Sequence, residues 1–334
     1  MRKLAIAILN FNGVDHLSTF LPSVINHSGE HTIVVIDNGS TDGSLEFLSL
    51  NFPGVEQICL QQNCGFAQGY NEGLNALKGK FEYYLMLNSD VQVTANYLGP
   101  MLNRLSQQDI GAVQPKILNY NQPSKFEHAG ACGGFIDRNG FPFCRGRIFS
   151  MCEDDRGQYD CAIPVFWASG ACLMIKSEVF HQLGGFDAYF FAHMEEIDLC
   201  WRMQQAGYQV WVEPQSKVLH LGGGTLGYES PRKTFLNFRN NLFMLVKNQS
   251  GFWPGRLFIR MAWDGLAAWQ FLAKKQPRLF FEVFKAHMAL YGAIPRLVRQ
   301  RKRMTATALH GKCNANIVVQ FFVLKRKTFQ NLSL

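Results

Sequence analysis

The sequence predicts an α/β protein: a mostly parallel sheet flanked by helices, followed by a helical extension. Three observations predict this. Short apolar or β-branched runs recur at 4–9, 32–36, 55–60 and 84–87. Segments of helical spacing separate them, and that alternation at short intervals gives parallel strands with helices on both faces. From Phe252 onward, helical segments rich in Trp, Phe, Leu and Arg take over.

Each element has a local reason. The run 4–9 is too short for a signal peptide and lacks a small-residue cleavage site. It reads as a first strand ending in the turn Asn10-Phe11-Asn12-Gly13. A helix follows to about Asn26, with Asp15 as its cap. The second strand, 32–36, stops at Asp37-Asn38-Gly39-Ser40-Thr41-Asp42-Gly43, and 44–50 is helical. After the third strand, Asn63-Cys64-Gly65-Phe66 opens a helix to about Leu77. The run 84–87 reads as a fully buried strand that stops at Asn88-Ser89-Asp90. A helix is expected over 97–107 and a strand over 112–118.

The rhythm then changes. Residues 119–161 are rich in Gly, Pro, Asn and aromatic residues with weak periodicity, and predict hairpins, loops and a partly mobile flap. A strand over 165–175, broken at Gly170, precedes a short helix from Ser177. Glu195 starts a helix that ends at Gly207, a natural C′ residue. Strands 208–212 and 217–221 flank Pro214, and 231–248 is an amphipathic helix. The tail carries helical segments 256–274 and 279–290. The expected division is 1–248 for the α/β domain and 249–334 for the extension.

Composition narrows the class. The chain has 334 residues, 47% of them hydrophobic, enough for a sizeable core. No 18-residue window is free of charge and strong polarity, so no transmembrane helix is expected. Nine cysteines, an odd count without a Cys-x-x-Cys pair, argue against a disulfide framework or zinc knuckle and for a reducing compartment. Of 33 Lys/Arg and 25 Asp/Glu, fifteen and two lie after residue 250. That leaves 18 against 23 before it, so the basicity belongs to the tail. Gly-x-Gly-x-x-Gly is absent after the first strand and Gly-x-x-x-x-Gly-Lys-Ser/Thr is absent altogether, which disfavours a Rossmann dehydrogenase and a P-loop enzyme.

The polar groups at strand ends carry the chemistry, because ligands bind at the carboxyl ends of strands in open α/β sheets. Asp90, with oxygen-bearing neighbours, suits a divalent cation such as Mg²⁺ or Mn²⁺ shared with substrate phosphates; capping a following segment is the competing role. Asp37 can accept from a base N–H or a ribose hydroxyl, or simply shape an Asp-Asn-Gly-Ser turn. Glu195, Glu196 and Asp198 complement a helix N-terminus. Crowded together among Phe190, Phe191 and Trp201, one of them would have its pKa raised toward the range of a general base. His220 closes an apolar strand, where a histidine is a core residue or an imidazole ligand to the same ion. The run Gly222-Gly223-Gly224, with Arg239 and Lys247 beyond it, can close over phosphates.

Read together, Asp37-Asn38-Gly39-Ser40-Thr41-Asp42-Gly43-Ser44, Asn63-Cys64-Gly65-Phe66-Ala67, Leu87-Asn88-Ser89-Asp90, Glu195-Glu196-Ile197-Asp198-Leu199-Cys200-Trp201-Arg202 and His220 resemble an inverting family 2 glycosyltransferase of GT-A fold. The resemblance spans about residues 3–248 and is closest to the bacterial rhamnosyltransferase-like branch. It implies that Asp37 holds the nucleobase, with Asn10 and Asn12 near the nucleotide. Asn63, Gly65 and Asn71 would line the nucleotide-sugar pocket. Asn88-Ser89-Asp90 stands where the family often carries Asp-x-Asp, which leaves Asp90 as the main carboxylate on a divalent cation and His220 completing the site. Glu196 falls at the catalytic base, where the usual residue is Asp, so Glu195 and Asp198 stay as alternatives.

The implied reaction moves a sugar from a nucleotide diphospho-sugar to an acceptor hydroxyl, in cell-surface polysaccharide or glycolipid assembly. The tail adds a second inference. Trp253, Trp263, Trp269, Phe271, Phe280, Phe281 and Phe284 mix with Arg256, Arg260, Lys274, Lys275, Arg278 and Lys285, and a cluster follows at Arg296, Arg299, Arg301, Lys302 and Arg303. Such helices suit an anionic membrane surface and a lipid-linked saccharide acceptor, or else form a cap with a solvated basic face. The expected location is cytoplasmic and peripheral at the inner face of the plasma membrane. No nucleic-acid motif accompanies the charge, so no nucleic-acid partner is expected. Two rivals remain: a sugar-phosphate nucleotidyltransferase, which would want a basic Gly-rich loop after the first strand, and a non-catalytic binding or scaffolding protein of the same fold.

Overall fold

The computed structural model describes residues 2–222, 230–301 and 309–334. In chain order the first elements are β1 (Arg2–Asn10), α1 (Val14–His27), β2 (Thr32–Asp37), α2 (Ser44–Asn51), β3 (Glu56–Cys59), α3 (Gly65–Ala76) and β4 (Phe81–Asn88). Then come β5 (Val91–Val93), α4 (Leu98–Leu105), β6 (Ile110–Asn119) and four short strands, β7 (Gly134–Ile136), β8 (Pro142–Cys144), β9 (Arg147–Ile148) and β10 (Met151–Cys152). The chain continues through β11 (Ile163–Val165), β12 (Cys172–Lys176), α5 (Ser177–Gln182), α6 (Glu195–Gln205), β13 (Gln209–His220), α7 (Pro231–Asn248), α8 (Trp253–Ala273) and α9 (Pro277–Gln300).

The main sheet runs β11-β13-β6-β12-β4-β1-β2-β3, with β5 on β13. The parallel order expected from the sequence holds from β3 through β2 and β1 to β4. Beyond β4 the sheet is mixed, because β12 enters antiparallel between β4 and β6. Alternation along β1 divides the core. Leu4, Ile6 and Ile8 pack with Leu17, Leu21 and Val24 of α1, while Ala5 and Ala7 face Tyr70 and Leu74 of α3.

Small residues bring α3 unusually close to the sheet. A Cβ on Gly73 would lie 2.2 Å from Ile36 Cδ1, and one on Gly69 would lie 2.8 Å from Leu9 Cδ1. Glycines four apart share one helix face, so α3 can lie on β1 and β2 with its N-terminus at their carboxyl ends.

Several expectations change once distant partners are known. Asp15 is not the cap of α1; it sits in the first turn, and the Val14 N–H donates to Asp42 Oδ2 at 3.0 Å. The strand expected over 165–175 is two strands, with β11 at the sheet edge on β13 and β12 in the centre. The pair expected around Pro214 is the single strand β13, whose register on β6 shifts between Glu213 and Lys217, where proline cannot donate to a ladder. Residues 119–161 form the hairpins expected of them. They carry the four-stranded sheet β10-β9-β8-β7, with Ile136, Phe143 and Ile148 buried. Lys116 of β6, itself buried, anchors this segment through Asp155 at 2.8 Å and through Asp160.

The extension begins with α8 and α9, α9 lying along α7, but its end is not helical packing alone. Residues 309–334 return to the α/β core. Cys313 N–H donates to the Ile136 carbonyl at 2.9 Å, and the Phe329 ring lies 4.8 Å from Phe135. All nine cysteines are free thiols. No helix among the described residues is long and apolar enough to cross a membrane.

Candidate active site

The carboxyl ends of β2, β1 and β4 are aligned by register: Asn10 stands beside Asp37, and Leu9 beside Asn88. Asp37 is buried. Its carboxylate accepts from Asn10 Nδ2 at 3.1 Å and from the Ser40 N–H at 2.8 Å. Asn12, in left-handed backbone at φ 48°, accepts from the Thr41 N–H at 2.8 Å and donates its own N–H to Ser40 Oγ at 2.9 Å. The turns after β1 and β2 are thus one hydrogen-bonded unit.

Asn38, which the sequence did not single out, ties this unit to α3. Its Oδ1 accepts from the Cys64 N–H at 3.0 Å, and its Nδ2 donates to Asn63 Oδ1 at 3.2 Å and to the Gly65 carbonyl at 3.1 Å. Asn63 also accepts from the Gly65 N–H at 2.8 Å. Gly65 has φ +81°, and a Cβ there would lie 2.6 Å from the Phe191 ring. Asn71, expected beside the nucleotide sugar, has its amide engaged on both sides by the Phe186 backbone, at 2.8 and 2.9 Å. It anchors the loop that leads to the acids.

The second corner is at the ends of β4 and β13. His220 Nε2 lies 3.1 Å from Asp90 Oδ1 and 3.5 Å from Asn88 Nδ2. On the other side of the ring, Nδ1 is 3.2 Å from Glu127 Oε2, an ion contact without good hydrogen-bond alignment. Burial would lower the imidazole pKa, but close polar contact with Asp90 and Glu127, and their charge, outweigh it and raise it to about 10. Burial would raise the Asp90 carboxyl, and His220 more than offsets this, holding it below the usual carboxylate range. Glu127 is 1% exposed and also accepts from the Ala129 N–H.

Among the described residues, no group of three or more His, Cys, Asp or Glu is arranged to hold a metal ion. The donor set nevertheless fits a hard cation that takes its remaining ligands from phosphates and water. Asp90 Oδ1 and His220 Nε2 lie 3.1 Å apart, a carboxylate and an imidazole nitrogen of the kinds such an ion takes, and a second carboxylate stands at the far nitrogen, as partners of metal-bound histidines do. The imidazolium must lose its proton to bind the ion.

The acids open α6 behind a strained loop. Phe191, His193 and Met194 have φ of 65°, 70° and 73°, conformations that persist in non-glycine residues only where the surroundings hold them. The holder is α7. Asn240 Nδ2 donates to the carbonyls of Phe190, Ala192 and His193 at 2.9, 2.9 and 2.7 Å, and Arg239 to those of Tyr189 and Phe190 at 3.0 Å.

The three acids have different surroundings. Asp198 is fully buried. It accepts from Arg202 at 2.9 Å, Lys247 at 3.0 Å and Asn248 at 2.8 Å. Burial pushes its carboxyl up, but Lys247 and Arg202 prevail and bring it to about 2. It holds α6 to α7 as a fixed anion. Glu195 is 4% exposed, and burial followed by the Glu196 charge raises its pKa well above the usual range. Glu196 is half-buried; burial raises it to about 7 against the opposing pull of backbone N–H groups at the helix start. Its Oε2 has no hydrogen-bond partner among the described residues.

Gly170 shows where Glu196 lies. A Cβ at Gly170 would be 3.1 Å from the Phe66 ring and 3.9 Å from Glu196 Cβ. The next residue, Ala171, accepts from the Asn88 N–H at 3.0 Å. Glu196 therefore flanks the α3 N-terminus and the end of β4, the edge that carries Asn10, Asp37 and Asp90.

The side chains expected to close over phosphates are engaged elsewhere. Arg239 holds the loop just described, and Lys247 pairs with Asp187 at 2.8 Å and with Asp198. Gly223 and Gly224 lie outside the described residues, as do Lys302 and Arg303. Arg260, expected on a basic surface, is buried against Asp264 at 2.9 Å. A cation the sequence reading missed is Lys233, in the first turn of α7. After burial, its charge is the next cause lowering His193 to about 4.

Comparisons with known proteins give the family and the fold. The sequence model of the family described as Glycosyl transferase family 2 matches residues 5–184, and the chain belongs to that family. Among its relatives is the N-acetylglucosaminyl-diphospho-decaprenol L-rhamnosyltransferase of Mycobacterium tuberculosis, 24% identical over 269 residues, 76% of this chain and 87% of that protein. Another is the low-salt glycan biosynthesis hexosyltransferase Agl10 of Haloferax volcanii, 24% identical over 71% of this chain and 73% of that protein. Among solved structures, GalNAc-T7 with UDP, GalNAc and Mn²⁺ superposes with a TM-score of 0.60 at 16% identity, over 89% of this chain and 58% of that one. The mannosyltransferase PcManGT of Pyrobaculum calidifontis, in complex with GDP-Man and Mn²⁺, gives a TM-score of 0.50 at 14% identity, over 90% and 73%. These likenesses establish the GT-A fold, and the protein is a glycosyltransferase.

Proposed function

We propose that the chain transfers a sugar from a nucleotide diphospho-sugar to a hydroxyl of a lipid-linked saccharide, with inversion at the anomeric carbon. The observation that carries this reading is Glu196: a half-buried carboxyl, raised to about 7, beside the strand ends that gather Asn10, Asp37 and Asp90. A base must be ionised near the working pH and still basic enough to take a proton, which is what this pKa supplies.

Asp37, Asn10 and Asn12 form the rigid rim against which base and ribose would lie. Asn63 and Gly65, at the start of α3, would line the pocket for the sugar diphosphate. Asp90 and His220, with Asn88 beside them, would hold a Mg²⁺ or Mn²⁺ ion, which as a Lewis acid stabilises charge on the departing diphosphate. Lys233, whose charge interacts with that of Glu127, would add positive charge near this corner. Glu196 takes the proton of the acceptor hydroxyl while that oxygen bonds to the anomeric carbon from the face opposite the nucleotide. The bond from that carbon to the diphosphate oxygen breaks and its electron pair leaves with the nucleotide, so no covalent intermediate on the protein is needed.

The lipid-linked acceptor is supported by the diphospho-decaprenol in the mycobacterial relative's name and by the surface of α8 and α9. Phe258, Leu266, Trp269, Phe281 and Phe284 are exposed there, alongside exposed Lys274, Lys275, Arg278 and Lys285. Exposed aromatic and basic side chains on adjacent helices suit an anionic bilayer surface, and with it a peripheral position at the inner face of the plasma membrane.

A thermal-shift panel of nucleotide sugars, with and without Mn²⁺, tests the reading, since a ligand that binds only the folded chain raises its melting point. Selective stabilisation by one donor, strengthened by Mn²⁺, is expected. Stabilisation by none sinks the proposal, whereas pyrophosphate release from a sugar phosphate and a nucleoside triphosphate would favour a nucleotidyltransferase.

A further inference from the structure

A cavity of about 500 Å³ is lined in part by Met194, the residue before Glu195. It is bounded by α7, α8, the start of β8 and residues 318–323 of the returning tail. Its walls include Phe149, Met194, Phe238, Trp263, Leu266 and Phe322. The volume is that of a small-molecule site. Its polar lining is Asn237, Asn241, Arg260, Asp264 and Gln270; Arg260 pairs with Asp264 at 2.9 Å, donates to the Gly140 carbonyl at 3.1 Å and to Asn241 Oδ1, and stacks 3.7 Å over Phe141, while Asp264 Oδ2 has no hydrogen-bond partner among the described residues. The rest of the wall is aromatic and aliphatic, and an alkyl or prenyl chain packs against such a wall without needing polar partners.

Both ends of the cavity point to the same occupant. At the inner end, Met194 is the residue directly before Glu195 and Glu196, and its carbonyl accepts the Asp198 N–H at 2.9 Å. At the outer end, Leu266, Phe322 and Val323 line the cavity and are also 61%, 43% and 68% exposed. That mouth lies on the α8 side that presents Phe258 and Trp269, with the exposed cations Lys274, Lys275 and Arg278 following. A chain entering from an anionic surface would run inward along apolar walls and end beside the acid-bearing helix.

We propose that this cavity binds the polyprenyl chain of a lipid-linked acceptor and so delivers its head group to Glu196. The inference rests on the sugar-transfer reading for the identity of the head group, but the chain site itself is testable without turnover.

The test uses the full chain and farnesyl diphosphate as probe, with inorganic pyrophosphate as control, in isothermal titration calorimetry. Ala267→Trp on α8 fills the cavity from one wall, and Val319→Trp fills it from the other should the first variant fold poorly. Expected is binding of farnesyl diphosphate at least tenfold tighter than pyrophosphate. That preference should fall at least tenfold in a filled variant whose stabilisation by nucleotide sugar is unchanged. Equal affinity for the two probes, or undiminished farnesyl binding in both filled variants, overturns the proposal. So does a wild-type dimer that Ala267→Trp converts to monomer without affecting farnesyl binding, since the occupant would then be a second copy. Farnesyl binding lost on filling, in a chain that no nucleotide sugar stabilises, would keep the lipid site and reject the sugar-transfer reading.

Discussion

The carbonyl oxygen of Phe191 lies 2.7 Å from the backbone nitrogen of Phe66. It also accepts from Ala67 at 3.1 Å, so the strained loop before the acids is bonded directly to the N-terminus of α3. The donor-side helix and the acid-bearing helix are therefore positioned by one shared contact.

Gly65→Ala should break that contact. Alanine at φ +81° costs roughly 1–2 kcal/mol, and its Cβ would fall 2.7 Å from the Phe191 carbonyl oxygen. A lowered melting point is expected together with loss of nucleotide-sugar stabilisation, both read in one thermal-shift series. A variant as stable and as responsive as wild type would show that the contact positions nothing.

Glu127→Gln should weaken the cation corner without touching the ion. Removing an outer partner of a metal-bound histidine lowers affinity roughly 10- to 100-fold. A Mn²⁺ titration of nucleotide-sugar stabilisation should therefore need that much more metal. An unchanged midpoint would separate Glu127 from the metal role assigned to His220.

Asp198→Asn is expected to destabilise the chain rather than disable its chemistry. It leaves Lys247 with Asp187 as its one carboxylate and Arg202 with the Leu183 and Gly185 carbonyls, a loss of about 2–3 kcal/mol. Because the folded carboxyl titrates near 2, below the ordinary value, its contribution is complete above about pH 4 and fades as pH falls toward 2. Urea unfolding should show a large deficit for the variant at pH 7 that narrows in acid. A deficit independent of pH would contradict this assignment.

The strand-end groups were legible because they are local. Asp37, Asn88 and Asp90 each stop an apolar run, and Glu196 opens a helix, so strand and helix patterns alone bring attention to them. Glu127 was not legible: it sits in a stretch of weak periodicity, and only the approach of β13 brings His220 to it. Arg239 and Lys247 looked like phosphate-binding residues because sequence shows their charge but not the carbonyls and Asp187 that take it up. The same limit joined β11 to β12, since one apolar run cannot reveal that its halves pair with different neighbours.

The pH dependence of transfer should report Glu196. A base works only when deprotonated, so the rate under saturating donor should rise with pH through about 7 and level off above it. A profile that is flat between pH 5 and 8 would mean that no group of raised pKa takes the proton.

The central claim is that Glu196 accepts that proton, and Glu196→Gln tests it most directly. With the donor identified by thermal shift, the variant should keep its stabilisation by nucleotide sugar while its transfer rate falls by about 10²–10⁴-fold. Transfer within a few-fold of wild type, with binding intact, would contradict the account and return the role of base to another residue.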